Sequence, residues 1–487
     1  MWLNVTSLAN SGLYSSNYGT LGEFAREEAL HSTYALIICF VLICFCIVAG
    51  VLVQIASTLP GAQKQLQSSK LVAILRGHII LPALFGTRRL EPLPGNTGYV
   101  PGRVLSISIA LYVALNIIFS AVSFRSFQPN AWFMSTGFEL CEYVGNRAGV
   151  LSLANMAIAI LFAGRNHLLL AITGWSQTTF LTLHRWAARV ATVQAVVHSV
   201  VYTLAYFEPG YDGASAYAAK AAEPFYYWGI IATIAMCITA GSAFLPLRIN
   251  FYETFLALHI ALVVLTLAGC WYHIVPHFGF DFGYEVWLYI AFAFWAADRL
   301  ARFARVAFYN GVASSKAVVE AVHDTDVLQI TVFPRTTLGF GPGQHTFLYI
   351  GGLGKFWENH PFSVAGWTKD TPMPYPATFP RSQSVSKSNT DIVTIPRDTT
   401  PRSHSPSLRF LVRVHSGATA TLQRRLGGSR MEIALYNEGP YGGHRATLLP
   451  LSTAETVLCL VGGIGITNAL GYVQEYATMK NLQRQAG

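Results

Sequence analysis

The 487-residue chain is too apolar to be a single soluble globule, since hydrophobic residues make up 52% of it and charged residues only 12%, against about 25% charged residues in soluble domains. The mean hydropathy of +0.40 predicts membrane-spanning segments and excludes a mainly disordered chain. The formal net charge of +9 is compatible with nucleic-acid binding, but basic residues also accumulate in the cytoplasmic loops of membrane proteins. We favour the membrane interpretation and expect no nucleic-acid partner.

Seven segments are long and apolar enough to cross the roughly 30 Å of hydrocarbon, which takes about 20 helical residues. They cover residues 34–57, 104–124, 147–164, 178–207, 226–245, 252–275 and 284–303. The stretch Leu71–Phe85 is shorter and is interrupted by Pro82, so we place it at the membrane interface. The sequence therefore predicts a polytopic α-helical membrane domain of seven spans over residues 34–306, preceded by an extracellular tail of residues 1–33.

The distribution of basic residues orients these spans. The loop between the first two spans and the exit of the seventh hold Lys64, Lys70, Arg76, Arg88, Arg89, Arg103, Arg299, Arg302 and Arg305. The loops expected on the opposite side, residues 208–225 and 276–284, hold one Lys and no Arg. Because Lys and Arg accumulate on the cytoplasmic side, we expect a multi-pass protein with its amino terminus outside and its carboxy-terminal domain in the cytosol.

The chain changes character after Arg305. Short runs of alternating apolar and polar residues are separated by Gly and Pro, at residues 318–322, 327–332, 345–350 and 408–414. This pattern is typical of antiparallel strands, and it predicts a cytosolic antiparallel β-barrel over residues 307–447. Within that domain, residues 371–407 are rich in Ser, Thr and Pro and poor in large apolar residues, so we expect a disordered insertion there.

Four histidines repeat at one spacing on two predicted spans. His184 and His198 lie on the fourth span and His259 and His273 on the sixth, fourteen residues apart in each case. Fourteen helical residues rise about 21 Å and complete almost four turns, which leaves both side chains of a span on one face. One span separates the two helices, so they run in the same direction. His184 can therefore pair with His259 toward the cytosol, and His198 with His273 toward the outside.

Each histidine pair predicts the two axial ligands of one haem b iron. Zinc is a poor alternative, because the two levels are too far apart to share an ion and each supplies only two ligands. Iron held by histidine on both faces has no open position, so the expected task is electron carriage. Arg165, Arg185 and Arg189 lie toward the cytosolic end, where they are either partners of haem propionates or ordinary cytoplasmic-side residues.

The cytosolic half holds segments of the kind that flavin and nucleotide sites use. An aromatic ring, a small hydroxyl and glycine turns occur at the ends of predicted strands, in His360-Pro361-Phe362-Ser363 and around Gly417 and Thr419. The apolar run Thr456–Val461 predicts a buried strand that leads into a turn with Gly462, Gly463 and Gly465, followed by a helix with Thr467. Such a turn lets a phosphate approach a helix amino terminus, although it is also a common packing feature.

The paired histidines, His360-Pro361-Phe362-Ser363, Glu438-Gly439-Pro440-Tyr441-Gly442 and the glycine turn together resemble the fungal ferric reductase family, transmembrane ferric/cupric-chelate reductases related to the NADPH oxidases. The resemblance implies that cytosolic NADPH reduces FAD and that electrons then pass through two haems to ferric or cupric ions outside the plasma membrane. It assigns flavin contacts to His360, Pro361, Phe362 and Ser363. It assigns nucleotide contacts to Gly439, Pro440, Tyr441, Gly462, Gly463, Gly465 and Thr467.

No side chain is expected to act as a catalytic acid, base or nucleophile. The expected partners are membrane lipid, external metal chelates and an iron permease–oxidase uptake system. A nicotinamide domain of this family continues for several strands beyond the glycine turn, so we expect residues 448–487 to be the truncated start of an NADPH-binding domain. Two alternatives to a metalloreductase stay open: a superoxide-producing NADPH oxidase, in which the same relay passes electrons to dioxygen, and a non-catalytic haem subunit, which the truncation would explain.

Overall fold

A computed structural model describes residues 11–58, 68–80, 82–86, 94, 99–351, 358–368, 406–415, 417–427, 430–443, 451 and 454–486. The chain divides into two compact units, residues 1–299 and 300–487. Helices build the first unit, whereas an antiparallel sheet with accompanying helices builds the second. The predicted disordered insertion, residues 371–407, lies outside the described residues except for its last two positions.

The described helices of the first unit follow one another along the chain. They are α1 (Ser11–Thr58), α2 (Lys70–Leu75), α3 (Arg103–Ala121), α4 (Thr136–Ala163), α5 (Leu168–Thr173), α6 (Gln177–Ala205), α7 (Ala214–Ala221), α8 (Pro224–Ser242), α9 (Leu245–Asn250), α10 (Tyr252–Phe278) and α11 (Glu285–Asn310), whose last turns belong to the second unit. A serine hydroxyl caps the amino terminus of α4 and of α6. Ser135 accepts the backbone N–H of Phe138 at 3.0 Å in α4, and Ser176 accepts that of Thr179 at 3.3 Å in α6.

Five of the described helices are long and apolar enough to cross a membrane, namely α1, α3, α4, α8 and α10. The helical membrane region predicted from the sequence is thereby confirmed. The remaining two predicted spans, residues 178–207 and 284–303, coincide with α6 and α11. Both helices are more polar than the other five: α6 contains two arginines and two histidines, and α11 contains Asp298 and Arg299. The count of seven spans stays a prediction.

The residues predicted as an extracellular tail, 1–33, are helical from Ser11 onward, because α1 continues without a break into the first predicted span. Charged side chains on this part of α1 are bound within the first unit. Glu27 and Arg147 of α4 are both fully buried and form an ion pair, and the hydroxyl of Tyr284 donates to Glu28 at 2.5 Å. The amino-terminal half of α1 is therefore an integral part of the helical unit.

The second unit contains a seven-stranded antiparallel sheet. Its strands are β1 (Ser315–Ala321), β2 (Val327–Phe333), β3 (Gln344–Ile350), β4 (His360–Ser363), β5 (Gly366–Thr368), β6 (Ser407–Arg413) and β7 (Met431–Gly442), in the order β4-β3-β7-β1-β2-β6-β5. The edge strands β4 and β5 are separated in the chain only by Val364 and Ala365, so the sheet has to curl until its edges meet. Val364 N–H donates to the carbonyl of Gln344 at 2.9 Å, and Ala365 N–H donates to that of Arg409 at 2.8 Å.

Alternating side chains fill the interior of the curled sheet. Leu328, Ile330 and Val332 of β2 are buried, and the residues between them are partly exposed. This period of two is what an antiparallel strand with one buried face requires. Two helices accompany the sheet, α12 (Ala418–Leu426) and α13 (Ile466–Ala486). Leu422 and Leu426 of α12 belong to the same hydrophobic core.

The predicted buried strand Thr456–Val461 is wrong. These residues form no strand, and the side chains of Leu458 and Leu460 are 81% and 86% exposed. A strand needs a neighbouring strand to accept its backbone hydrogen bonds, and none of the described strands pairs with this segment. The glycine turn Gly463–Gly465 and the helix after it do form. A nucleotide-binding domain is therefore not confirmed.

Candidate functional site

The helices α6 and α10 bring the four predicted histidines together in two pairs. The ring centroids of His184 and His259 are 6.2 Å apart, and those of His198 and His273 are 6.0 Å apart. The earlier histidine of α6 pairs with the earlier histidine of α10, and the later one with the later one. The two helices therefore run in the same direction. Fourteen residues separate the pairs on each helix, which places the two levels about 21 Å apart along the helix axes.

Three of the four imidazoles are oriented by a backbone carbonyl. The Nδ1 atoms of His184, His198 and His273 each lie 2.8 Å from a carbonyl oxygen, those of Ala159, Gly145 and Phe225 respectively. A carbonyl accepts only, so each Nδ1 carries the proton and each Nε2 is left with a free lone pair. Metal-bound histidines are commonly held in this way. Nδ1 of His259 is buried and has no hydrogen-bond partner among the described residues.

The distances between the paired rings suit a metal ion between them. An ion about 2 Å from the Nε2 atoms of two opposed imidazoles places the ring centroids about 6.4 Å apart, within a few tenths of an ångström of both observed distances. Each pair also borders a cavity, of about 980 Å³ at the His184 level and about 350 Å³ at the His198 level. Cofactor pockets typically span ~300–1,000 Å³. The residues present therefore suit a planar metal-containing group at either level.

Three arginines border the larger cavity. Arg185 and Arg189 of α6, both considered in the sequence, are joined by Arg248 of α9, which sequence reasoning missed. Arg165 does not line this cavity; its backbone N–H donates to Asp298 at 2.7 Å. Guanidinium groups pair well with carboxylates, so this cavity can neutralise an anionic ligand. No sequence signal pointed to Arg248, because only the short helix α9 between α8 and α10 carries it to the cavity.

The smaller cavity has a polar and aromatic rim. The hydroxyl of Tyr202 donates to Glu142 at 2.8 Å and lies 2.5 Å from the amide oxygen of Asn146. His277 stacks on Phe225, with ring centroids 3.6 Å apart and planes 2° from parallel. Phe24 of α1 also borders this cavity. The amino-terminal half of α1, most of which the sequence predicted as a tail, therefore contributes to the wall of the smaller cavity.

In the second unit, β3 separates two of the predicted cofactor segments. His360–Ser363 pairs with β3 along one side, where Ser363 is opposite His345, and β7 pairs along the other side, where Tyr441 is opposite the same His345. Neighbouring strands lie about 4.8 Å apart, so the two segments are about 10 Å from each other across the sheet. The curled sheet thus places the predicted flavin segment and the Gly439-Pro440-Tyr441 segment on the two strands that flank β3.

A buried carboxylate fixes the second of these segments. Glu438 is fully buried and accepts hydrogen bonds from Arg302, Tyr349 and Tyr441. Tyr441 is only 7% exposed, and Arg305 lies over its ring at 4.8 Å while donating to the carbonyl of Pro440 at 3.0 Å. Burial beside Glu438 raises the pKa of the Tyr349 hydroxyl. Tyr441 thus packs into the interior of the second unit. Gly439 lies so close to Thr346 that a Cβ atom on Gly439 would overlap the Thr346 side chain.

The remaining predicted residues lie elsewhere on the second unit. Gly417 precedes α12 with φ +85°, and the hydroxyl of Thr419 accepts the backbone N–H of His415 at 2.9 Å. The turn with Gly462, Gly463 and Gly465 leads into α13, where the hydroxyl of Thr467 donates to Ile464 at 2.9 Å. Gln474 of α13 donates to the carbonyl of Trp367 at 2.6 Å, so α13 is docked at β5.

Comparisons with known proteins agree with the sequence resemblance. Residues 148–270 match the profile of the "Ferric reductase like transmembrane component" family, and residues 312–373 match an FAD-binding domain. The first match contains His184, His198 and His259, and His273 follows three residues after its end. These matches confirm the resemblance to ferric reductases and an FAD-binding domain in the second unit.

Three relatives illustrate the likeness. The chain is 28% identical over 463 residues to ferric reductase transmembrane component 3 of Saccharomyces cerevisiae, covering 93% of this chain and 57% of that protein. It is 28% identical to ferric/cupric reductase transmembrane component 2 of the same yeast, covering 94% and 58%. It is 27% identical to ferric/cupric reductase transmembrane component 1 of Candida albicans, covering 82% and 47%. The chain thus spans about half the length of the curated relatives it matches.

Proposed function

We propose that the chain acts as a transmembrane ferric reductase, which transfers electrons from cytosolic NADPH to ferric or cupric ions outside the plasma membrane, with FAD and two haems b as carriers. The single observation that carries this proposal is the double histidine pairing, at 6.2 and 6.0 Å, on two helices that run in the same direction. Relatives named ferric and ferric/cupric reductase components, and the FAD-binding match, support it.

The chain's own residues would hold the haems through the Nε2 atoms of His184 with His259 and of His198 with His273. Haem with histidine on both faces supplies one-electron transfer and leaves no open position for another ligand. The carbonyls on α4 and α8 hold three of the imidazoles in one tautomer, which prepares Nε2 for the metal.

The charges of the first unit suit this arrangement. Arg185, Arg189 and Arg248 would neutralise the carboxylates of the group in the larger cavity. In the second unit, His360, Pro361, Phe362 and Ser363, with Gly417 and Thr419, are the proposed FAD contacts. The proposed NADPH contacts are Gly439, Pro440, Tyr441, Gly462, Gly463, Gly465 and Thr467.

Variants of the purified full chain test the proposal. His184→Ala and His198→Ala should each lower the haem content from two per chain to one, and both should abolish reduction of an external ferric chelate. His167→Ala is the matched control, because His167 is another histidine of the helical unit that belongs to neither pair. Full haem content in both pair variants would contradict the proposal. Reduction that superoxide dismutase abolishes would instead assign the electrons to dioxygen.

A further inference from the structure

A helical glycine lies directly against each of the two outer histidines. A Cβ atom built on Gly149 of α4 would lie 2.9 Å from Nδ1 of His198 and 3.2 Å from its Cε1. A Cβ built on Gly229 of α8 would lie 2.7 Å from Nδ1 of His273 and 2.9 Å from its Cε1. Both imidazoles therefore pack directly against the helix backbone at a glycine. They lie closer to it than a Cβ atom at that position would allow.

The same small motif surrounds both rings. Gly145 supplies the carbonyl for His198 and Phe225 the carbonyl for His273, and the glycine follows the carbonyl by four residues in each case, at 149 and 229. Residues four apart occupy neighbouring positions on one helix face. Two different helices, α4 and α8, thus present a carbonyl and a glycine to the two outer histidines in the same arrangement.

The inner level is built differently. His184 donates to Ala159, and the residue four positions later is Ala163. Nδ1 of His259 has no hydrogen-bond partner among the described residues. The carbonyl–glycine motif is therefore confined to the outer pair within the part of the chain that the structure describes.

A methyl group at Gly149 or Gly229 would clash with the neighbouring imidazole, and the ring has no room to move away. The imidazole cannot retreat along the helix without breaking its 2.8 Å bond to the carbonyl, and its opposite side faces the partner imidazole 6.0 Å away. Glycine inside a helix is also less favourable than alanine, because it loses more backbone entropy on folding. Helix stability alone would therefore favour alanine at both positions, whereas the geometry of the histidines requires glycine.

We propose that Gly149 and Gly229 are positioning residues for the outer haem, and that they set the planes of His198 and His273 by letting α4 and α8 approach the rings. This inference rests on the proposed haem ligation. Alanine at either glycine tilts the neighbouring imidazole away from the line that joins the two Nε2 atoms. The effect is specific to the outer level, because neither glycine contacts His184 or His259.

The test compares Gly149→Ala and Gly229→Ala with the control Gly22→Ala in the full chain. Gly22 is a helical glycine of α1 whose added Cβ would meet no atom within 4 Å. We expect both outer variants to lose one haem per chain, or to shift the low-field electron paramagnetic resonance signal and midpoint potential of one haem only. The control should keep the wild-type haem content and signals.

The outcomes separate this inference from the proposed function. Wild-type protein without two haems would refute the proposed ligation itself. Wild-type protein with two haems, together with unchanged haem content, signals and potentials in both outer variants, would overturn only the role of the glycines. Loss of both haems in both variants would also overturn it, because the inner pair contacts neither glycine.

Discussion

Glu438 offers the sharpest test of the second unit, because its carboxylate is fully buried and binds Arg302 and two tyrosine hydroxyls. Glu438→Gln keeps the size of the side chain and removes the charge. The side chain of Arg302 is only 14% exposed, so its guanidinium would be left without a counter-charge. Removing one partner of such a pair costs about 3–5 kcal/mol. We expect a loss of that size in the free energy of unfolding of the sheet.

A urea titration of the purified full chain, followed by circular dichroism, measures this loss. Glu432→Gln is the matched control: it makes the same change on the same strand at an exposed position, and it should stay within about 0.5 kcal/mol of wild type. Arg302→Met added to Glu438→Gln removes the unpaired charge and should recover part of the stability. An equal effect of the Glu438 and Glu432 variants would refute the reasoning.

Three further predictions follow from other contacts. Gly417→Ala should destabilise the β6–α12 turn by about 1–3 kcal/mol, because φ +85° is a conformation that side chains rarely adopt, and urea unfolding of the full chain measures this loss. The hydrogen bond from Arg413 lowers the pKa of Asp326, so this pair contributes stability above the unfolded-state pKa of about 3.9 and loses it as the pH falls. Arg413→Gln should therefore flatten the acid end of a stability–pH curve measured at low salt. Glu27→Gln should lower the thermal unfolding temperature of the detergent-solubilised chain, because it leaves Arg147 buried without a counter-charge; an unchanged temperature would contradict the buried ion pair.

Helix geometry explains why the histidine pairs could be predicted. The spacing of fourteen residues fixes a common face and a common rise without any knowledge of neighbouring helices. The number of intervening spans then fixes the relative direction of α6 and α10. The structure places the rings of both pairs about 6 Å apart, as that reasoning requires. Their role as ligands stays a prediction.

The groups that orient the histidines could not be predicted. The carbonyls of Gly145, Ala159 and Phe225 belong to the backbone, and any residue type carries a carbonyl. Only the packing of α4 against α6 and of α8 against α10 brings these atoms to the rings. The contribution of α1 to the smaller cavity was missed for a similar reason, since its charged residues resemble those of an exposed tail until Arg147 and Tyr284 are placed beside them.

Four strands of the curled sheet, β1, β2, β3 and β6, could be predicted because each has its own alternation of apolar and polar residues. The pattern over residues 327–332 and 345–350 agrees with β2 and β3 to within a residue at each end. The run Thr456–Val461 has the same apolar content but no partner strand among the described residues, and it does not form a strand. Apolar composition indicates what a strand would bury, whereas pairing decides whether the strand exists.

The haem content of the wild-type full chain tests the central claim most directly. A pyridine haemochrome assay on the purified protein, combined with electron paramagnetic resonance of the oxidised form, gives the number of haems and their coordination. The paired histidines predict two haems b per chain, both low-spin with nitrogen on each face. A chain with fewer than two haems, or a high-spin signal from an iron with an open position, would contradict the account.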